Sequence, residues 1–350
     1  MRGYGKATIL ALAAAAMLAT GPAGAQDKPV QLKAVGTWGN LSNWQKLEKP
    51  FWETELAASS GGILTGEAKP QTELGVKGFE VMRLLKLGVF DVAHALPIYV
   101  AEDAVIEGID LAGVASDFKT SRAVADAYRD VLAEALQKNY GARLLNHYPF
   151  PAQVFYCKSP ITGIGDLKGK KIRVQGASQG DFVEAVGGSP VTIAFAEVVP
   201  AMQKGVVDCG ITGTMPGYKA KWYEVATHLF ALPVGYTITF TAINENSWKK
   251  LSEKQQQALL KASKEFEDKG WKVIEAENDE GIACGTGTGE CTVGKPGSLT
   301  LVKPSEADLK ARETALTEGV LKKWAARCGA DCVKTWNATV GPVVNLKAGG

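Results

Sequence analysis

The sequence predicts an α/β protein made of two successive units, each a largely parallel sheet flanked by helices. Three observations predict it. Strand-like stretches with period-two alternation are followed by stretches with helical spacing of apolar residues. That rhythm starts again near Ala142, without a detectable sequence repeat. And 350 residues with 46% hydrophobic content suit two domains of ordinary size.

The first strand is expected at Val30–Val35, followed by the glycine-punctuated turn Gly36-Thr37-Trp38-Gly39-Asn40. A helix is expected from about Asn43 to Ala58, where Trp44, Leu47, Phe51 and Leu56 recur near helical spacing. Gly61-Gly62 breaks it before a strand around Ile63 to Ala68. Phe79–Leu87 reads as a helix, Phe90–Ala95 as a strand and Ser121–Asn139 as a long amphipathic helix. The second unit opens with two strand-like pieces, Ala142–Leu145 and Ala152–Cys157. Strands at Lys170–Val174, Val191–Ile193 and Val206–Gly210 then alternate with helices at Asp181–Val186 and Phe195–Lys204. Tyr236–Ile243 is a further strand, and a long helix is expected from Ser252 towards Asn278, with Ser252 and Gln255 as its capping box. From Cys284 the chain reads as irregular and glycine-rich, before a last helix from about Ser305 to Arg327.

Arg2 and Lys6, an apolar run from Ala7 to Thr20 and the triplet Ala23-Gly24-Ala25 form the pattern of a secretory signal cut before Gln26. The run is shorter than the roughly 20 residues that cross a bilayer. Residues 1–25 are therefore set apart from the fold, and the mature chain is expected in the periplasm. The full chain has 39 Lys+Arg and 37 Asp+Glu; loss of Arg2 and Lys6 leaves 37 of each. A neutral surface of mixed charge provides no footprint for nucleic acid or anionic membrane.

Cys157, Cys209, Cys284, Cys291, Cys328 and Cys332 fit an oxidising compartment. Six cysteines allow 15 pairings. The expected set joins Cys284 to Cys291 and Cys328 to Cys332 as short local loops, and Cys157 to Cys209 across neighbouring strands. Zinc at Cys328-x3-Cys332 is the rival, but His94, His147 and His228 are scattered and distant from it. No metal or cofactor is expected.

The segment from Asp166 to Val174 carries a polar turn into a short strand, with Arg173 near that strand's carboxyl end. Ligands of open α/β sheets bind just beyond such ends, and a guanidinium there can hold a carboxylate through two parallel bonds. Position alone leaves open a structural arginine paired with an acidic neighbour. Gly176-Ala-Ser178-Gln-Gly180 matches the G-x-S-x-G elbow of serine hydrolases. Against catalysis, Ser178 and Asp181 read as a capping box, only His228 follows among the histidines, and no HGGG-like segment precedes it. The turn reads better as a helix start whose N–H groups face an anion beside Arg173. Gly285-Thr-Gly-Thr-Gly289 follows no strand and lies between two cysteines, so it reads as a disulfide-closed loop rather than a phosphate loop.

The run from Gly187 to Asp208, the Asp166–Val174 segment and Trp222–Leu229 resemble, in order and spacing, the extracytoplasmic solute receptors of TRAP (tripartite ATP-independent periplasmic) transporters. The resemblance extends from the first strand to about Asn278. It implies a two-lobed periplasmic binding protein with hinge strands and a long helix spanning both lobes. The lobes, 26–150 plus about 237–278 and 151–236 plus about 279–350, would close on a small organic carboxylate and deliver it to membrane subunits without ATP. It implies no enzyme, and we expect a monomer.

Carried over residue by residue, Arg173 matches the arginine that salt-bridges the ligand carboxylate, and Phe195 an aromatic that packs on the ligand. Thr212 stands where relatives often have asparagine. Gln153 stands where some, such as sialic acid receptors, place a second arginine. His94 occupies a first-lobe position where those relatives carry an acid, and Trp38 lies on the turn facing the cleft. Tyr236 and Tyr218 are further candidates for a flat apolar wall, or ordinary core aromatics. One arginine rather than two points to a monocarboxylate with an aromatic or apolar tail, with small aliphatic 2-oxo or 2-hydroxy acids as the alternative.

Overall fold

The computed structural model of the protein describes Met1 and residues 28–100 and 103–349. The expected export signal lies, Met1 apart, outside the described residues. No described helix is long and apolar enough to cross a membrane.

Ten strands form one connected arrangement in the order β2-β1-β3-β9-β4-β7-β5-β6, with a side pair formed by β8 and β10. In the first half, β1 (Val30–Gly36) lies parallel to β2 (Leu64–Pro70) and β3 (Val92–Ala95). In the second, β5 (Lys171–Val174) lies parallel to β6 (Ser189–Thr192) and β7 (Cys209–Gly213). β8 (His228–Phe230) and β10 (Thr300–Val302) are parallel to each other. Between the halves run two antiparallel strands, β4 (Ala142–Cys157) and β9 (Tyr236–Asn244). The two-lobed α/β expectation is met.

β4 corrects one expectation. Its two strand-like pieces are a single strand, although Pro149 and Pro151 have no N–H to donate to a ladder. The strand absorbs them in an irregularity: its register against β9 shifts between Pro149 and Ala152. Just beyond, from Gln153 to Cys157, it pairs with β7 instead. β4 therefore passes from one half to the other at its proline-rich point.

The helix Glu253–Thr286 joins the halves from one side. It has 34 residues and so runs about 50 Å. Ser252 caps it, accepting from Gln255 N–H at 3.3 Å while the Gln255 side chain takes Ser252 N–H at 3.0 Å. Phe266 meets Phe51 and Tyr148 in the first half, with centroids 5.0 Å away in both cases. Cys284 packs with Met215 and Tyr218 in the second. The helix thus outruns its expected end at Asn278. Gly281 permits this, because a Cβ there would lie 2.3 Å from Met215 N.

Other boundaries move too. The first helix, residues 43–59, is wide-wound over Asn43–Glu48 and Phe51–Glu55. β7 begins three residues after its expected start, since Gly205 turns with a φ of 71° and Asp208 Oδ2 accepts from Lys171 N–H at the approach. The last expected helix spans 306–328, and a further one, Ala330–Val344, follows it. That closing helix packs against Phe118–Tyr140, and Trp336 Nε1 donates to Gly108 O at 3.0 Å. Disulfides join Cys157 to Cys209, Cys284 to Cys291 and Cys328 to Cys332, as expected.

Candidate functional site

Arg173 is the centre of the site. It is fully buried on β5, whose pattern is exposed at Lys171 and buried thereafter. Its Nε donates to Ile193 O at 2.9 Å and its Nη1 to Ile211 O at 2.7 Å. Its Nη2 has no partner. The rings of Phe195 and Trp222 flank the guanidinium at 6.0 and 5.8 Å. Among the described residues no carboxylate pairs with it. Burial pulls its pKa down, and only the Tyr99 phenol partly offsets that. A buried cation without a counter-ion costs several kcal/mol, on the order of the penalty for breaking a buried ion pair. The alternative of an acidic structural partner is therefore set aside.

Beyond Phe195 and Tyr99, which stand between it and Arg173, is a small chamber of about 20 Å³ where the two halves meet. Trp38, Leu41, Leu96, Tyr99 and Phe150 line it from one half. Gln153, Gln175, Phe195, Thr212 and Pro216 line it from the other, and Thr237 completes it from β9. A space of that size holds about one water. The Trp38 ring meets Phe195 across the junction at 5.2 Å, and Tyr99 and Phe150 at 6.0 and 6.2 Å. A wider open groove of about 750 Å³ touches Leu96 and Tyr99 from outside, but neither Arg173 nor Phe195 lines it.

Polar groups are spread thinly over these walls. Gln175 Nε2 donates to Gln153 Oε1 at 2.7 Å, and Gln153 Nε2 to Pro151 O at 3.0 Å. The Tyr99 hydroxyl, like Arg173 Nη2, has no partner. Behind Trp38, Thr37 is held by the buried Glu48, which accepts its N–H at 2.6 Å, its hydroxyl at 2.7 Å and the Tyr148 hydroxyl at 2.8 Å. Burial lifts the Glu48 carboxyl from 4.5 to about 7 against those three donors.

Of the residues singled out in the sequence, Gln153, Phe195, Thr212 and Trp38 line the chamber, and Arg173 lies beside Phe195. His94 and Tyr236 do not. The His94 imidazole is enclosed beside Trp52, Tyr148 and Phe266. Its Nε2 accepts from Trp52 Nε1 at 2.8 Å, so the proton is on Nδ1, which faces Tyr148 and Thr241 hydroxyls at 2.9 and 3.0 Å. Burial lowers its pKa to about 3, keeping it neutral. Tyr236 packs edge-on against Phe118 at 5.7 Å. Consecutive strand residues point to opposite faces, so its neighbour Thr237 takes the chamber position. Tyr218 donates its hydroxyl to Lys295 O at 2.9 Å and stacks on Tyr223, away from the chamber.

The turn after β5 also differs from expectation. Its helix, Ala177–Ala185, begins after Gly176, so Ser178 lies in the first turn and is not the cap. The N–H groups expected to meet a ligand are already engaged: Ser178 N–H donates to the buried Glu107 carboxylate at 2.7 Å, and Gln175 N–H to Gln179 Oε1 at 2.9 Å. Ser178 Oγ is fully buried and its partner is Ala112 N–H, at 3.4 Å. It has no nucleophile's surroundings. The phosphate-loop lookalike at 285–289 is the end of the long helix and its left-handed Gly287 cap, bracketed by the Cys284–Cys291 disulfide.

Sequence reasoning passed over Tyr99, Phe150, Leu96 and Gln175. Tyr99 was within reach of the strand-end rule, for it lies on the Pro97–Tyr99 turn just beyond the carboxyl end of β3.

The profile of bacterial extracellular solute-binding protein family 7 matches residues 36–289. The chain is 28% identical to the sialic acid-binding periplasmic protein SiaP of Vibrio cholerae over 237 residues, 64% of this chain and 72% of that one. Among solved structures it is similar to DctP7, a Bordetella pertussis extracytoplasmic solute receptor binding pyroglutamic acid. The TM-score is 0.77 at 23% identity, covering 89% of this chain and 99% of the other. A TRAP periplasmic solute-binding protein from Desulfovibrio salexigens with bound orotic acid aligns with a TM-score of 0.74 at 16% identity, over 90% and 99% of the two chains.

Proposed function

The chain belongs to bacterial extracellular solute-binding protein family 7, the solute receptors of TRAP transporters, and on that premise we propose that it captures a small monocarboxylate with a flat or apolar body. The observation that carries this reading is the buried guanidinium of Arg173, held by two carbonyls and left with Nη2 free. A carboxylate is an anion whose geometry fits a guanidinium. Gln153, uncharged, supplies no second cation for a second carboxylate. Trp38, Phe150, Phe195 and Leu96 offer flat apolar walls, and the tightness of the chamber favours compact acids. Pyroglutamate and orotate, bound by the two structural relatives, are flat cyclic acids of this kind.

In this reading the halves are lobes, 26–150 with about 237–278 and 151–236 with about 279–350, hinged where β4 shifts register between Pro149 and Ala152 and where β9 begins at Tyr236. The exported receptor closes over the acid and docks, as a monomer, on TRAP membrane subunits. A thermal-shift screen across organic acids, with calorimetry on the hits, tests the ligand class. Mass action raises the unfolding midpoint for a bound ligand. Compact monocarboxylates such as pyroglutamate, orotate, hydroxycinnamates and 2-oxo acids should give the shifts. Shifts from dicarboxylates or neutral sugars alone would overturn the reading.

A further inference from the structure

We propose that Asp126, His147 and Glu267 form a binding site for a zinc-type divalent transition metal in the first half of the molecule, away from the ligand chamber. The three residues come from different elements: Asp126 from the helix Phe118–Tyr140, His147 from β4 and Glu267 from the helix Glu253–Thr286. One ligand atom from each lies within 4.8 Å of the other two.

The imidazole carries the argument. His147 is fully buried, yet neither of its ring nitrogens has a hydrogen-bond partner. An imidazole must present at least one N–H, so this ring leaves buried polar capacity unused on both edges, which native interiors rarely tolerate. Its Nε2 faces Asp126 Oδ1 at 3.4 Å, too long for a strong charge-assisted bond. The surroundings hold the ring in place without satisfying it. His147 N–H donates to Glu267 Oε2 at 3.2 Å, and its carbonyl accepts from Trp271 Nε1 at 3.1 Å. The Trp271 ring stands perpendicular to the imidazole, with centroids 6.0 Å apart.

One imidazole and two carboxylates are a donor set suited to zinc and its neighbours, and too nitrogen-rich for calcium or magnesium. Tetrahedral zinc ligands at roughly 2.0–2.2 Å from the metal stand about 3.4 Å apart, a spacing that His147 Nε2 and Asp126 Oδ1 already have at 3.4 Å. The Asp126 side chain, 52% exposed, is free to adjust towards Glu267 and gives the ion a path from solvent, with water as the fourth ligand. Cations now attend the two carboxylates. Glu267 pairs with Arg129 and, at 3.4 Å, with Lys264; Asp126 lies 3.9 Å from Arg122 Nε. All three cations are at least 32% exposed and can turn outward. A bound metal would pin β4 to both long helices close to its register shift after Pro149, stiffening the base of the hinge strand.

The test is zinc binding by the full chain after stripping with a chelator, read by calorimetry with zinc sulfate and by thermal unfolding. Cobalt(II), with its visible absorption, serves as a second probe. We expect one equivalent bound and a midpoint that rises with metal concentration. Asp126→Asn, at a half-exposed position, should weaken zinc binding at least about tenfold, the lower range found even for outer-shell changes. His147→Gln should remove the cobalt absorption. Arg129→Gln should tighten binding, because it removes one of the two cations that compete for Glu267. Absence of saturable uptake, or uptake unaltered in both Asp126→Asn and His147→Gln, would overturn the proposal. None of these readouts depends on the organic acid.

Discussion

Tyr99 and Arg173 reach the same buried point from opposite halves of the sheet, where the phenol faces the guanidinium but neither its hydroxyl nor Nη2 makes a well-formed hydrogen bond. The phenol follows β3 and the guanidinium projects from β5. Their meeting places two donors at the junction where the two halves face each other. A carboxylate placed between them would satisfy both.

Replacing Arg173 by Met should therefore abolish measurable binding, and Lys should rescue little. A charge-assisted, two-pronged contact in a dry site contributes on the order of 2–4 kcal/mol, or about 30- to 1000-fold in Kd. Calorimetry with the best ligand from the screen measures it. Equal affinity in the Lys variant would show that fork geometry is not used.

Tyr99→Phe separates function from stability. It should weaken ligand binding about tenfold, the loss expected for one hydrogen bond to a charged group. Without ligand the variant should be as stable as the parent or slightly more so, since the hydroxyl it removes is buried and unpartnered. Urea unfolding alongside calorimetry gives both numbers. A marked loss of stability would assign Tyr99 to the core instead.

Gly176→Ala should hold the halves apart. Gly176 has extended backbone, φ −165°, so the constraint is one of contact. An added Cβ would lie 2.2 Å from Ile98 O, in the other half. Affinity should fall by at least about tenfold as the closed population is penalised, with little effect on each half's own packing. Solution scattering should then no longer register contraction on adding ligand. Normal contraction would mean that this contact yields.

Glu48 makes stability depend on pH. Its folded pKa is raised from 4.5 to about 7, so the folded state holds a proton that the unfolded chain has released between those values. The stability linked to that proton is fully present below about 4.5 and is lost as pH rises through about 7. A shift of this size is worth about 3 kcal/mol. Melting temperatures across that range should fall with rising pH in the parent, and the corresponding slope should disappear in Glu48→Gln. An identical slope in the two proteins would exclude this carboxyl as its source.

The disulfides should differ in worth. Cys157–Cys209 closes a separation of 52 residues and Cys284–Cys291 one of 7. Chain entropy assigns about 4 kcal/mol to the first and about 2 kcal/mol to the second. Paired Cys→Ala variants compared by denaturant unfolding should keep that order. A reversal would mean that the loss of the short bridge disturbs the native state.

Much of this was legible because its signals are local. The Ser252–Gln255 box caps the long helix as its spacing implies, and Cys157 faces Cys209 because their strands pair at those residues. The helix runs on past Asn278 because Gly281 packs against a distant backbone, Met215 N, a contact that no local pattern records. β4 stays one strand through Pro149 and Pro151 because it exchanges one partner for another there, which is likewise a matter of distant neighbours.

The candidate site divides along the same line. By itself the sequence determined the α/β rhythm, the capped helices, the likeness to a receptor family and the presence of Arg173 at a strand's carboxyl end, for each rests on neighbours in the chain. Only the tertiary structure decided that Arg173 has no acidic partner among the described residues, that His94 is a neutral core imidazole, that Thr237 and not Tyr236 faces the chamber, and that Tyr99 comes up against Arg173. Burial and pairing depend on which surfaces pack together, and residues from Trp38 to Thr237 meet in that chamber only after two antiparallel strands have brought the halves face to face.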